Sequence, residues 1–96
     1  MKSDLESALE NLPDQIADAL TKWRKATLER EKIEGLLYAR LKGEDKRTGD
    51  EIKALIKSDP DRYAAVLVEL TAESNYTRLY ERLLSFKKLA DHRTAF

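Results

Sequence analysis

The sequence predicts an all-α fold: an antiparallel hairpin of two long helices with a short connecting helix, oligomerising through helical seams. Apolar residues recur at helical spacing through residues 13–42 and 60–92, and no stretch shows the two-residue alternation of a strand. Between them, residues 43–58 contain two of the three glycines and a short helical pattern. A length of 96 residues favours a single small domain, 1–96.

The first part of the chain, residues 1–12, is expected to form a separate amphipathic segment. Ser3 and Glu6 have the spacing of a capping box, which starts a helix. Pro13 then either starts a new helix in its first turn or kinks a helix already running, and both alternatives stand. An apolar stripe crosses this region, and copies of the chain are expected to associate along it: Leu5, Leu9, Leu12, Ile16, Leu20 and Trp23.

Two glycines of the first long helix raise separate expectations. Gly35 costs roughly 1 kcal/mol inside a helix, so a close backbone approach by a neighbouring helix is expected there. Gly43 is expected to end the helix, because glycine is the preferred residue just after a helix C-cap.

Capping signals define the other helix boundaries. Thr48 and Glu51 form a second capping box, which predicts the start of the connecting helix. Asp59 as cap and Pro60 in the first helical position predict the start of the second long helix.

The second long helix is expected to contribute apolar and aromatic residues to the seam, Tyr63, Leu67 and Leu70 among them. Its middle is polar and is expected to face residues 27–31 of the first long helix, forming a layer that fixes the register. This polar stretch comprises Thr71, Glu73, Ser74, Asn75 and Thr77.

Charge is unevenly distributed although the formal net charge is zero. Residues 1–20 carry five acidic side chains and one lysine, whereas residues 21–57 carry eleven basic and seven acidic side chains. A cluster around the connector is the candidate nucleic-acid site: Arg40, Lys42, Lys46, Arg47, Lys53 and Lys57. Tyr38 could join Arg40 and Lys42 in an aromatic and basic surface that stacks unpaired bases. The alternative is an ordinary solvated loop whose acidic residues offset the cations.

Catalysis and metal binding are not expected. The chain has no cysteine and one histidine, His92, which is interpreted as a solvent-exposed residue at a helix end. No cofactor is expected, since no glycine-rich phosphate loop occurs. No apolar run approaches the ~20 residues of a membrane span, and the acidic N-terminus does not resemble a signal peptide. A cytoplasmic location is therefore expected.

Several short elements follow one another between residues 20 and 96: Trp23, Leu-Leu-Tyr-Ala-Arg-Leu-Lys at 36–42, a basic linker with glycine, Glu-Ile-Lys-Ala at 51–54, Asp59 and Asp61, and Asp91 to Phe96. In this order they resemble the UvsY-type recombination mediators of T-even phages. That family is all-helical, assembles into rings, binds single-stranded DNA, and helps to load a RecA-like recombinase onto DNA covered by single-strand-binding protein. The resemblance implies the same properties here.

The family's DNA contacts include a Lys-x-Arg pair before the linker. Arg40 matches the arginine, but Tyr38 stands where the family has lysine. Lys42 or the linker cations would then have to compensate. The function favoured is a phage-type accessory protein for recombination that oligomerises and binds single-stranded DNA without sequence specificity. The alternative is a helical protein–protein interaction module, an adaptor or inhibitor, that does not bind DNA.

Overall fold

The computed structural model describes residues 4–44 and 46–94, with the side chains of Leu5, Ala8 and residues 92–94 excepted. It contains three helices, α1 (Asp4–Glu44), α2 (Gly49–Lys57) and α3 (Pro60–Thr94), and no strand within the described residues. The long helices α1 and α3 pack against each other as a hairpin, with α2 between them along the chain. The predicted all-α hairpin of two long helices with a short connecting helix is confirmed, and association between copies stays a prediction.

The chain divides into two compact units. The first consists of Met1–Trp23 and Ala72–Phe96. Within it, the Trp23 ring lies 5.5 Å from the Tyr76 ring, which in turn lies 6.1 Å from Tyr80. This contact packs Trp23 of α1 against α3 within the first unit.

Part of the stripe predicted for association between copies is buried inside this first unit. Leu12 is only 3% exposed, so it is unavailable to a second copy, and that part of the prediction is wrong. Leu9, Ile16, Leu20 and Trp23 are half-buried, and the side chain of Leu5 lies outside the described residues. The reason is that this side of α1 packs against α3 of the same chain.

The second unit is Arg24–Thr71. Its apolar interior is small and comes from α1 and α2, where four side chains are at most 8% exposed: Ala26, Leu37, Leu41 and Ile52. Ile52 is the most deeply buried of them, at 2%. Burial of Ile52 anchors α2, because a nine-residue helix is too short to be stable alone.

Pro13 lies inside α1, which runs without interruption from Asp4 to Glu44. A boundary between residues 12 and 13 is therefore not observed, and of the two alternatives the structure shows the helix already running. Proline removes one backbone hydrogen bond from a helix interior. Leu12 and Ala19, which precede and follow Pro13, are both 3% exposed, so α1 is packed on either side of the proline.

The expectations for the two glycines of α1 are wrong. A Cβ atom added at Gly35 or Gly43 would have nothing within 4 Å, so no neighbouring backbone approaches either residue. Gly43 has no positive φ and does not terminate α1, which continues to Glu44. Both glycines lie on the exposed side of the helix.

Replacing Gly35 by Ala should therefore stabilise the protein. Alanine has the higher helix propensity and restricts the unfolded chain, and the added methyl group meets open space. We expect the free energy of unfolding in urea to rise by about 1 kcal/mol. The matched control is Ala39→Gly, an exposed position one turn further along α1, which should lower it by a similar amount. A destabilised Gly35→Ala variant would contradict the open environment described for Gly35.

The predicted capping residues are confirmed at α2 and α3. The Thr48 hydroxyl oxygen accepts a hydrogen bond of 3.2 Å from the backbone N–H of Glu51. One Asp59 carboxylate oxygen accepts from the N–H groups of Asp61 and Arg62, at 2.9 and 3.1 Å, and Pro60 is the first residue of α3. The capping box at Ser3 lies outside the described residues.

A network of charged side chains, rather than the predicted polar stretch, forms the polar layer in the unit Arg24–Thr71. Arg30 Nε donates to both carboxylate oxygens of Glu69 at 2.9 Å, and Arg30 Nη1 donates to both of Glu34 at 3.1 Å. Arg62 Nε donates to Glu34 Oε1 at 3.1 Å. These pairs place α1 and α3 antiparallel in this unit. The stretch that was expected in this role is exposed: Thr71, Glu73, Ser74, Asn75 and Thr77.

Candidate nucleic-acid interface

The residues predicted to bind nucleic acid all belong to the unit Arg24–Thr71. They are distributed over three segments: Tyr38, Arg40 and Lys42 near the end of α1, Lys46 and Arg47 in the loop after it, and Lys53 and Lys57 on α2. All are exposed except Arg47, which is half-buried. The acidic residue Asp45, expected to offset these cations, lies outside the described residues.

Tyr38 and Lys42 form a local pair on α1. They are four residues apart and therefore lie on the same side of the helix. The Lys42 ammonium lies 5.7 Å from the centre of the Tyr38 ring, within the range of a cation–π contact. The Tyr38 side chain is 42% exposed, so a planar group can still reach the ring. This pair combines a stacking surface with a positive charge.

Arg40 does not join that surface. At about 100° per residue, its side chain leaves α1 roughly 200° away from Tyr38. The buried Leu37 and Leu41 lie between the two directions. Arg40 pairs weakly with Glu44, at 3.9 Å, and both side chains are more than half exposed. The prediction that Tyr38, Arg40 and Lys42 make one aromatic and basic surface is therefore wrong for Arg40. Two residues that are two positions apart on a helix point in different directions.

The two lysines of α2 share one side of that helix. Lys53 and Lys57 are four residues apart and exposed, while Ile52 anchors the opposite part of α2 in the interior. The Thr48 cap fixes the first turn. α2 thus presents two cations from a short helix held by one cap and one buried side chain.

These groups supply positive charge and one aromatic ring, which suit phosphate contact and base stacking. Among the described residues, no group of three or more His, Cys, Asp or Glu side chains is placed to hold a metal ion. The side chain of His92 lies outside the described residues. No helix in the described part of the chain is both long and apolar enough to cross a membrane.

One surface was missed by the sequence reasoning. Tyr63, Leu67 and Leu70 were assigned to the seam, yet they are 59%, 47% and 50% exposed. The signal that could have revealed them is the position of the charges, since Arg62 and Glu69 share the face of α3 that meets α1.

Comparisons of this chain with models of protein families, with curated proteins and with solved structures found no match.

Proposed function

We propose that this protein is an accessory factor for recombination that assembles from several copies and binds single-stranded DNA without sequence specificity. Its role would be to present that DNA to a RecA-like recombinase in competition with single-strand-binding protein. The observation that carries the proposal is the exposed Tyr38–Lys42 pair in the same unit as Lys46, Lys53 and Lys57.

The binding would combine two physical contributions. Lysine ammonium groups neutralise phosphates and release counterions, which makes affinity depend steeply on salt. The Tyr38 ring offers a stacking surface that any base can use, so no sequence preference results. A single protomer provides few such contacts and has no net charge. Assembly of several copies would multiply the contacts along one strand.

The test is a charge reversal at the exposed lysines of the connector, Lys46→Glu, Lys53→Glu and Lys57→Glu combined. Each lost phosphate contact lowers the salt slope by about 0.7 on single strands, so the slope should fall by about 2 per protomer. At 0.1 M salt the affinity should drop on the order of 100-fold. Fluorescence anisotropy with labelled oligo-dT across a salt series measures both quantities.

The matched control reverses three exposed lysines of the other unit, Lys22, Lys87 and Lys88. It introduces the same change of net charge, so a purely non-specific electrostatic effect would weaken both variants equally. We expect the control to retain the slope of the wild type. Equal losses in the two variants, or no binding by the wild type at low salt, would contradict the proposal.

Exposed apolar side chains favour a second candidate function, a protein–protein interaction module. Leu28 and Leu36 on α1 are 65% and 63% exposed, which is unusual for leucines in a small domain. An adaptor or inhibitor would use such surface without needing the cations. In that case the connector variant would keep both its assembly and its activity toward the partner.

A further inference from the structure

The surface of α1 beside Tyr38 is open toward the start of the helix. Side chains on a helix lean toward the preceding turn, so the Tyr38 ring extends over the turn that contains Glu34 and Gly35. Gly35 contributes no side chain there, and a Cβ atom added to it would have nothing within 4 Å, the Tyr38 ring included. Since the Tyr38 side chain is also 42% exposed, a planar group has access to the ring from this side of α1.

Packing does not account for the glycine at position 35. Glycine is one of the least favourable residues inside a helix. No neighbouring backbone approaches Gly35 and its φ is not positive, so neither a close contact nor a special backbone conformation requires it. The glycine does leave a gap in the row of side chains next to Tyr38, which lies three residues further on the same side of α1. A gap of this kind is what a base needs in order to lie flat against the ring.

The charges around the ring favour one orientation of a bound nucleotide. The Glu34 carboxylate, four residues before Tyr38, accepts hydrogen bonds of 3.1 Å from two arginines, which compensate its charge. Glu31 is exposed and lies about two turns before Tyr38, where its carboxylate repels a phosphate. The Lys42 ammonium, on the opposite side of Tyr38 along the helix, lies 5.7 Å from the centre of the ring. A nucleotide stacked on Tyr38 therefore has its phosphate toward Lys42 and its base toward Gly35.

We propose that Gly35, Tyr38 and Lys42 form a site for one unpaired base, and that this site favours single strands over duplex DNA. In a duplex each base is paired and stacked between its neighbours, so it does not reach Tyr38, whereas the phosphates stay accessible to lysines. The cations of the connector therefore contribute to the binding of both forms, and the ring distinguishes between them. This inference rests on the proposed function, because it presupposes that the connector binds DNA.

The first test replaces Tyr38 by Ala and compares two probes by fluorescence anisotropy, labelled oligo-dT and a labelled duplex of the same length. Loss of one stacked base should lower the affinity for oligo-dT roughly 5- to 150-fold. The affinity for the duplex should stay close to that of the wild type. The salt slope for oligo-dT should also be unchanged, because Tyr38 contributes no charge to the phosphate contacts.

The matched control is Tyr38→Phe, which keeps the ring and should bind both probes like the wild type. Circular dichroism of both variants checks that the helices are intact. If the wild type binds oligo-dT and Tyr38→Ala leaves the ratio of the two affinities unchanged, this inference is overturned while the proposed function stands. A wild type that binds neither probe at low salt overturns both, so the two failures are distinguishable.

A second variant, Gly35→Gln, fills the gap beside the ring without changing the net charge. Glutamine is a better helix former than glycine, so the midpoint of unfolding should shift to higher urea. The affinity for oligo-dT should nevertheless fall at least about fivefold, the lower end of the range for one stacked base, with duplex binding unchanged. The control is Ala39→Gln, an exposed position of α1 that faces away from the Tyr38 side and should bind oligo-dT like the wild type. A Gly35→Gln variant that keeps its full affinity for oligo-dT would overturn the role of Gly35.

Discussion

Replacing Ile52 by Ala should lower the free energy of unfolding by about 2–5 kcal/mol, the range for truncating a buried isoleucine. Ile52 is 2% exposed and is the buried residue of α2. Without it, the nine-residue helix has only its Thr48 cap and partly exposed contacts to hold it. Thermal and urea unfolding followed by circular dichroism, at one fixed protein concentration, would measure the loss.

The control for Ile52 is Leu55→Ala on the same helix. Leu55 is 42% exposed, so its truncation should cost well under about 2 kcal/mol. Neither substitution changes the charge of the connector. The salt slope of DNA binding, where binding occurs, should therefore stay close to that of the wild type in both variants. Equal destabilisation by Ile52→Ala and Leu55→Ala would show that α2 is not anchored as described.

Local signals in the sequence were sufficient for the starts of α2 and α3, but not for the start and end of α1. The caps at Thr48 and Asp59 were predicted correctly because a hydroxyl or carboxylate at these positions satisfies N–H groups of the adjacent turn, a contact within a few residues. The helix boundary at Pro13 was ambiguous, because proline suits the first turn of a helix and is also tolerated inside one whose neighbours are well packed.

The predictions that failed depend on which side of a helix meets the rest of the chain. An apolar pattern alone assigned Tyr63 and Leu67 to the seam, whereas the seam at this level contains Arg62 and Glu69. The spacing of Arg62 and Glu69 along α3 is visible in the sequence, but their partners Glu34 and Arg30 are 28 and 39 residues away, so the sequence does not show that this side of α3 meets α1. The sequence predicted which cations belong to the candidate nucleic-acid site, but not which of them share a surface. That Arg40 and Tyr38 lie on different sides of α1 is evident only when the buried side of the helix is known.

The charged network itself leads to the second large effect. Replacing Arg30 by Met should destabilise the protein by about 2 kcal/mol, because Glu69 would keep its partly buried carboxylate without its arginine. The loss is smaller than for a fully buried pair, since the side chains of Arg30 and Glu69 are 23% and 15% exposed and water screens part of the interaction. Urea unfolding at neutral pH measures it.

A double-mutant cycle separates the pair from the individual residues. Arg30→Met and Glu69→Leu should each destabilise, and the combined variant should be less destabilised than the two losses together, with a coupling of roughly 1–2 kcal/mol. The exposed pair Arg40–Glu44, also on α1, is the control, and breaking it by Arg40→Met should cost at most a few tenths of a kcal/mol. Additive effects for Arg30 and Glu69 would mean that their contact does not stabilise the fold.

The dependence on pH shows whether an ionised carboxylate contributes to the cost of Arg30→Met. Burial alone would raise the pKa of Glu69, but hydrogen bonds from Arg30 and Thr27 and the charges of Arg30 and Arg62 together hold that pKa below its ordinary value of 4.5. A lowered pKa in the folded protein contributes stability that is complete above pH 4.5 and is lost as the pH falls through the lowered value. Arg30→Met removes the hydrogen bond and the charge of Arg30, which are two of the causes that lower this pKa, and leaves those of Thr27 and Arg62. The difference in stability between Arg30→Met and the wild type should therefore be constant from neutral pH to about pH 6 and should shrink as the solution becomes more acidic. A difference that stays constant down to the acid limit of folding would place the cost of Arg30→Met in lost packing of its side chain, with no contribution from the ionised Glu69.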